Sequence, residues 1–309
     1  MNIREKLIQL LEGGSYTQKQ VAAKSKLSTS VVSQYMNGTY EGNVDNVENK
    51  LNDFFFRESK RIHGDVEFVS TVLAETALEV IDNVHSDCDI GVIYGSAGMG
   101  KSMVLREYAL RNSTAILIEA DPGYTTKVLL QELCVKLRVK KTTGTIHELS
   151  ERCVLALRGT GQVVLIDESE LLPYRALEVI RRIQDRAGCG LVLAGMPRLL
   201  INLMGSSGEY EQLYSRVGMA LDLDEMKLMS DDDDFRAILS NLLEVGLPGY
   251  RVPEDVYSAF RHESDGNYRR MFKLARGVIR ASKKAGNKGI SVELIEKYGK
   301  MLIKRRGVI

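Results

Sequence analysis

Apolar positions follow two regimes along this chain. Between residues 63 and 229, short unbroken apolar runs recur: Ile90-Gly91-Val92-Ile93-Tyr94, Ala115-Ile116-Leu117-Ile118, Val163-Val164-Leu165-Ile166 and Gly190-Leu191-Val192-Leu193-Ala194, with Leu221-Asp222-Leu223 as a shorter fifth. Runs without polar alternation suit strands buried on both faces, the pattern of a parallel sheet, and the stretches between them are spaced as helices. The predicted fold class is therefore α/β, a parallel sheet with helices on both faces. On either side the pattern is helical throughout. Three regions follow: an all-helical N-terminal domain over 1–62, a sheet-containing core over 63–229, and a helical C-terminal region over 230–309.

The centre of the first region, Thr17 to Gly38, reads as two short helices with a tight junction. Thr17 can N-cap the first, whose inward face is Val21 and Ala22. Ser25-Lys26-Leu27 makes the turn, Ser28 or Thr29 caps the second helix, and Val31, Val32 and Tyr35 or Met36 form its buried side. Asn37-Gly38 ends it as a left-handed C-cap requires. This spacing resembles the helix-turn-helix of phage repressors, although Lys26 stands where those motifs usually carry glycine. The resemblance implies that Thr29, Ser30, Ser33, Gln34 and Asn37 face the major groove of double-stranded DNA. From the residues alone, a small helical bundle used for protein contacts also fits. At the start of the last region, Ser230 with Asp233 reads as a capping box, making Asp231 to Asp234 a negatively charged helix start; metal binding is the other reading of that acidic run.

The chemistry concentrates after the first apolar run. Gly95-Ser96-Ala97-Gly98-Met99-Gly100-Lys101-Ser102 lies between a strand and the helical stretch Met103 to Ala109. Its glycines let backbone amides converge on phosphate oxygens, Lys101 adds charge toward the β- and γ-phosphates, and Ser102 offers a hydroxyl to magnesium. The N-terminus of the following helix adds a positive partial charge. Further on, Val163 to Ile166 runs into Asp167-Glu168. Adjacent acids at the end of an apolar strand are costly unless that end opens into a polar site. Asp167 is placed to hold magnesium, so ATP and Mg2+ are the expected cofactors.

Charge changes the picture at one end only. The chain has a formal net charge of +1, yet residues 266–309 hold thirteen Lys/Arg against two Asp/Glu. A basic end on an otherwise acidic protein suggests a polyanion, of which nucleic acid is the usual one, with a solvated helix surface as the plain alternative. Lys283, Lys284, Lys288, Lys304, Arg305 and Arg306 are the basic candidates there, for DNA or for an acidic patch on a partner. Cys88, Cys134, Cys153 and Cys189 are scattered and read as reduced, mostly buried thiols rather than a zinc site. No apolar run is long enough to span a membrane, and the N-terminus does not read as a signal peptide, so a cytoplasmic protein is expected.

The order of these parts resembles the AAA+ transposition ATPases of Mu-type phages and Tn7-type elements over essentially the full length. The resemblance carries over as a P-loop core with a small helical lid behind the helix-turn-helix domain. It makes Glu168 the carboxylate that activates the attacking water, Arg216 in Tyr214-Ser215-Arg216-Val217 the finger reaching a neighbouring subunit's site, and Arg269 in Gly266-Asn267-Tyr268-Arg269 the lid arginine, with Arg270 as the other candidate. It further implies ATP-dependent, largely sequence-independent DNA binding, helical polymers on DNA and contact with a transposase. Met196, after Leu193-Ala194-Gly195, departs from the polar sensor residue usual there, which points to a slow ATPase acting as a switch. A replication initiator or helicase loader, a secretion ATPase, and a repressor with structural nucleotide share parts of the pattern.

Overall fold

The computed structural model describes residues 3–12, 16–40, 42–44, 46–51, 54, 68–204, 215–229, 232–286 and 289–302. The chain divides into two compact units, Met1–Glu67 and Phe68–Ile309.

The first unit is helical. Helices α1 (Ile3–Glu12), α2 (Gln18–Ser25) and α3 (Thr29–Asn37) are followed by helical residues 46–51. Thr17 caps α2 in a capping box with Gln20, and Ser28 caps α3 by accepting from the Val31 amide. Between them Lys26 adopts φ 56°, so the usual glycine position is filled by a lysine held in the left-handed region. Such a residue carries a steric cost that glycine avoids, offset by the burial around it. Val21, Ala22, Val32 and Tyr35 pack with Leu7, Val47, Leu51 and Phe54 in one small core. Gly38 ends α3 at φ 72°, and the Arg4 guanidinium donates to the Met36 carbonyl at 2.7 Å, satisfying one of that helix's free C-terminal oxygens.

In the second unit, α4 (Val72–Asp87) precedes β1 (Ile90–Tyr94), and α5 (Lys101–Arg111) leads to β2 (Ala115–Glu119). Helices α6 (Thr126–Lys136) and α7 (Ile146–Leu157) lead to β3 (Val163–Asp167), and α8 (Tyr174–Ala187) leads to β4 (Gly190–Gly195). After α9 (Arg198–Met204) comes β5 (Met219–Asp222). All pairings are parallel, in the order β2-β3-β4-β1-β5. The apolar runs become strands because both their faces are covered. Ile93, Leu165, Val192 and Ala194 face α4, α5 and the C-terminal helices, while Val92, Ile118, Val164, Ile166 and Leu193 face α6 to α9. The fifth run is displaced from its expected place: the strand is Met219–Asp222, and Leu223 opens α10 (Leu223–Met229). Leu223 is buried by packing under the loop at Gly95 rather than by strand pairing.

Helices α11 (Asp233–Gly246), α12 (Glu254–Ser264), α13 (Tyr268–Lys284) and α14 (Val292–Gly299) complete this unit. The expected capping box at Ser230 is corrected in part. Asp232 is the N-cap of α11 and makes no side-chain cap bond, while Ser230 and Asp231 lie outside the described residues. The Asp234 carboxylate instead turns inward and accepts from the Val72 and Leu73 amides at 2.9 and 3.0 Å, capping α4 across the fold. Among the described residues no cluster of His, Cys, Asp or Glu is arranged to hold a metal. Asp234→Ala leaves two α4 amides without their acceptor, and a loss of about 1–3 kcal/mol in urea unfolding is expected. A change under about 0.5 kcal/mol would show that water replaces the cap at no cost.

Candidate nucleotide-binding site

The phosphate loop is shaped by backbone that only glycine adopts without strain. Gly98 and Gly100 have φ 86° and 93°, and Gly100 serves as the N-cap of α5. No acidic side chain occupies the first turn of α5, so its positive end is left for an anion. The Lys101 ammonium folds back over the loop, donating to the Gly95 and Ser96 carbonyls at 2.6 and 3.0 Å. Burial pulls its pKa below the usual lysine value, while the carboxylates of Glu170, Asp167, Glu168 and Asp224 act the other way. Ser102 follows in the same turn, half-buried.

The acids sit at the same edge. Strand β4 lies between β3 and β1, so the end of β3 faces the loop across two strand spacings, about 10 Å in all. Asp167 is buried and accepts the Glu168 amide at 2.9 Å through one carboxylate oxygen. Glu168 is held at φ 51°, a left-handed conformation of the kind stored at functional sites. Its carboxyl is pushed above the ordinary range by burial and then by the charges of Glu170 and Asp167, with Lys101 opposing. One hydroxyl, Ser102, and one buried carboxylate, Asp167, are a donor set that fits magnesium. That ion takes few protein ligands and completes its shell with phosphate oxygens and water.

The C-terminal helices close on the loop. Asn267, the N-cap of α13, accepts from the Arg270 amide and donates to the Ala97 carbonyl at 2.7 Å. A Cβ on Gly98 would lie 2.6 Å from Asn267 Oδ1 and 2.9 Å from Arg269 Cβ, so glycine is required where α13 meets the loop. Arg269 is exposed and starts directly over Gly98. Arg270 is turned away, donating to the Glu263 carbonyl and pairing with Asp265 at 3.4 Å. On the other side, Asp224 of α10 accepts from both the amide and the hydroxyl of Ser96, at 2.7 and 2.9 Å. Lys227 of the same helix donates to the Gly266 carbonyl at 2.5 Å. Asn267, Asp224 and Glu170 were not singled out in the sequence. Asn267 alone had a legible signal, a capping residue ahead of a helical run.

The remaining predicted residues are spread more widely. Arg216 is exposed, 3.9 Å from Asp185 of α8, just before β5. Met219 opens β5 beside Gly91 near the start of β1, whereas the loop follows Tyr94. Arg216, three residues before Met219, thus lies toward the opposite end of the sheet from the loop of its own chain, Met219 itself being roughly 13 Å from Gly95 at 3.3 Å per residue. Met196 is half-buried just beyond Gly195. In the N-terminal unit, Thr29, Ser30, Gln34 and Asn37 are exposed on α3 and Ser33 is half-buried. Lys283 and Lys284 are exposed at the end of α13, whereas Tyr214, Lys288, Lys304, Arg305 and Arg306 lie outside the described residues. No helix among the described residues is long and apolar enough to cross a membrane.

The parallel sheet, the glycine-shaped loop and the acids at the end of β3 define a P-loop ATPase of the AAA+ class. Consistent with this, the family model described as AAA domain matches residues 83–203. Within that class the chain resembles the B proteins of Mu-like phages. It is 26% identical over 276 residues to the Mu-like prophage FluMu DNA transposition protein B of Haemophilus influenzae, covering 84% of this chain and 96% of that protein. It is 29% identical over 235 residues to the ATP-dependent target DNA activator B of Escherichia phage Mu, covering 73% and 74%. Among solved structures, Thermotoga maritima RuvB, a Holliday junction branch migration motor, aligns at 16% identity over 76% of this chain and 70% of that one, with a TM-score of 0.49. The Aeropyrum pernix ORC2 protein in its ADP form aligns at 15% over 74% and 67%, with a TM-score of 0.47.

Proposed function

We propose that this protein is a DNA-binding ATPase of transposition, which assembles on target DNA when ATP-bound and activates or directs a transposase. The observation that carries this reading is the alignment with a DNA transposition protein B over 96% of that protein's length. In this reading Gly95 to Ser102 and Arg269 bind ATP, Ser102 and Asp167 hold Mg2+, and Glu168 accepts the proton of the attacking water. Bound magnesium neutralises charge between the phosphates. Arg216, far from its own loop, serves a neighbouring subunit. Such a head-to-tail contact builds a helix when its rotation does not close a ring.

DNA is bound largely without regard for sequence, with Lys283, Lys284, Lys304 and Arg305 contacting phosphates and Thr29, Ser30, Ser33, Gln34 and Asn37 of α3 facing the major groove. Assembly multiplies contacts that are weak singly. Hydrolysis removes the γ-phosphate that the neighbour's Arg216 contacts and loosens the polymer. Met196 in place of a polar sensor keeps turnover slow, as suits a switch in the cytoplasm and on the nucleoid.

Binding to a long random-sequence duplex at moderate salt, with ATP, ADP or no nucleotide, tests the reading. Tight cooperative binding with ATP alone is expected. Binding to one palindrome regardless of nucleotide would sink it in favour of a repressor, and binding confined to one defined site in favour of a replication initiator. In the same assay Arg216→Ala should still bind ATP but lose cooperative assembly, raising the DNA concentration for half-saturation at least tenfold. Unchanged assembly by sedimentation would remove Arg216 from the subunit contact.

A further inference from the structure

Glu170, three residues beyond Asp167, is a carboxylate that none of these roles uses. It lies on the 3-10 turn Ser169–Leu171 that follows β3 and the Asp167-Glu168 pair. Its side chain is only 1% exposed, and its Oε2 has no hydrogen-bond partner among the described residues. Its Oε1 is 3.9 Å from the guanidinium of Arg198, which is itself half in solvent. Beyond this and a hydrogen bond shared with the Glu168 carboxyl, the buried group has little compensation, and a buried polar atom left so calls for an explanation.

The direction of that oxygen is informative. A Cβ on Gly195 would run into Glu170 Oε2, so the last residue of β4 is a glycine that leaves room for this carboxylate. Gly195 is paired with Tyr94 and accepts the Gly95 amide at 3.3 Å, so the oxygen lies beside the strand end at which the phosphate loop begins. The Glu170 carboxyl hydrogen-bonds that of Glu168, and its charge acts on Lys101. At this same strand end Met196 offers a thioether, a weak acceptor and no donor. An oxygen with free lone pairs, at the strand end that borders the phosphate loop, suits a water molecule.

We propose that Glu170, together with Glu168, holds the attacking water of ATP hydrolysis, supplying from the turn after β3 the polar contact that Met196 cannot make at the end of β4. The inference rests on the reading of this chain as an ATPase. In the step itself the water oxygen bonds to the γ-phosphorus as the bond to the β–γ bridging oxygen breaks, and that electron pair leaves with ADP. One water proton passes to Glu168, and the other is held in a hydrogen bond by Glu170 Oε2.

Steady-state phosphate release, equilibrium ATP binding and thermal melting of the full chain test this together. Glu170→Ala should lower kcat by about 10–100-fold while ATP affinity changes less than about 3-fold, the split expected when a contact counts only in the transition state. Its melting temperature should hold or rise, since a buried carboxyl crowded against Asp167 and Glu168 is removed. Glu170→Gln, which keeps the shape, should change in the same direction. Met196→Asn added to Glu170→Ala should recover hydrolysis at least 5-fold by placing a polar side chain at the end of β4. Unchanged kcat, a parallel fall of kcat, ATP affinity and melting temperature, or no recovery in the double variant would each overturn the assignment. A wild-type chain that binds ATP and never releases phosphate would sink the ATPase reading itself, whereas normal turnover in every Glu170 variant sinks only this inference.

Discussion

Glu168→Gln should bind ATP as tightly as the parent and hydrolyse it about 10²–10⁴-fold more slowly, the usual contribution of a positioned general base. The substitution keeps the size of the side chain and the left-handed backbone at φ 51°, so the turn into Ser169 need not move. It also relieves a crowded set of acids, because Asp167 and Glu170 both act against the charge on Glu168. Folding should therefore be unharmed, and the melting temperature should not fall. On the proposed function the variant accumulates in its ATP-bound, DNA-assembled state, so the complex should outlast the parent's when free ATP is diluted away. Single-turnover phosphate release beside equilibrium nucleotide binding separates the two effects. Hydrolysis at the parental rate would remove Glu168 as the base and leave the neighbouring carboxylates to be tested in its place.

Lys101→Ala should weaken ATP binding about 10–150-fold, because a charge-assisted contact to phosphate in a part-buried site is worth roughly 1.5–3 kcal/mol. Without nucleotide the ammonium already holds the Gly95 and Ser96 carbonyls, so the loop loses two internal bonds as well. Gly95 is buried and Ser96 half-buried, so the melting temperature without nucleotide should fall modestly. The rise in melting temperature that ATP gives the parent should vanish, since a ligand stabilises only in proportion to its binding. A variant that keeps the ATP-dependent rise would show that the backbone amides and the α5 N-terminus bind phosphate without the lysine.

Much of this molecule was legible before its fold. The run Ile90 to Tyr94, the glycines of the loop and the acids after Ile166 each depend on residues a few positions apart. Local constraints of this kind, a burial pattern, a positive φ or a helix start, leave marks in short spacing. The same holds for the caps at Thr17, Ser28 and Gly38, each of which bonds within its own turn. The expected strand at Leu221 to Leu223 shows where such reading fails. An apolar residue looks alike whether a neighbouring strand or a loop packed on it buries it, and Leu223 is buried by the latter.

The sequence by itself determined the alternation of apolar runs and helices, the phosphate loop with its lysine, and the strand that ends in two acids. Only the tertiary structure decided what closes over that site. Asn267 meets Ala97 across 170 positions, Asp224 meets Ser96 across 128, and Asp234 caps α4 across 162. Glu170 lies near the acids in sequence, yet its role depends on Gly195 of a different strand making room for it. Hydrogen bonding between distant segments leaves no periodic trace, because any polar residue satisfies the local pattern of an exposed turn. Which of them is buried, and against which backbone group, follows from the packing of helices on the two faces of the sheet.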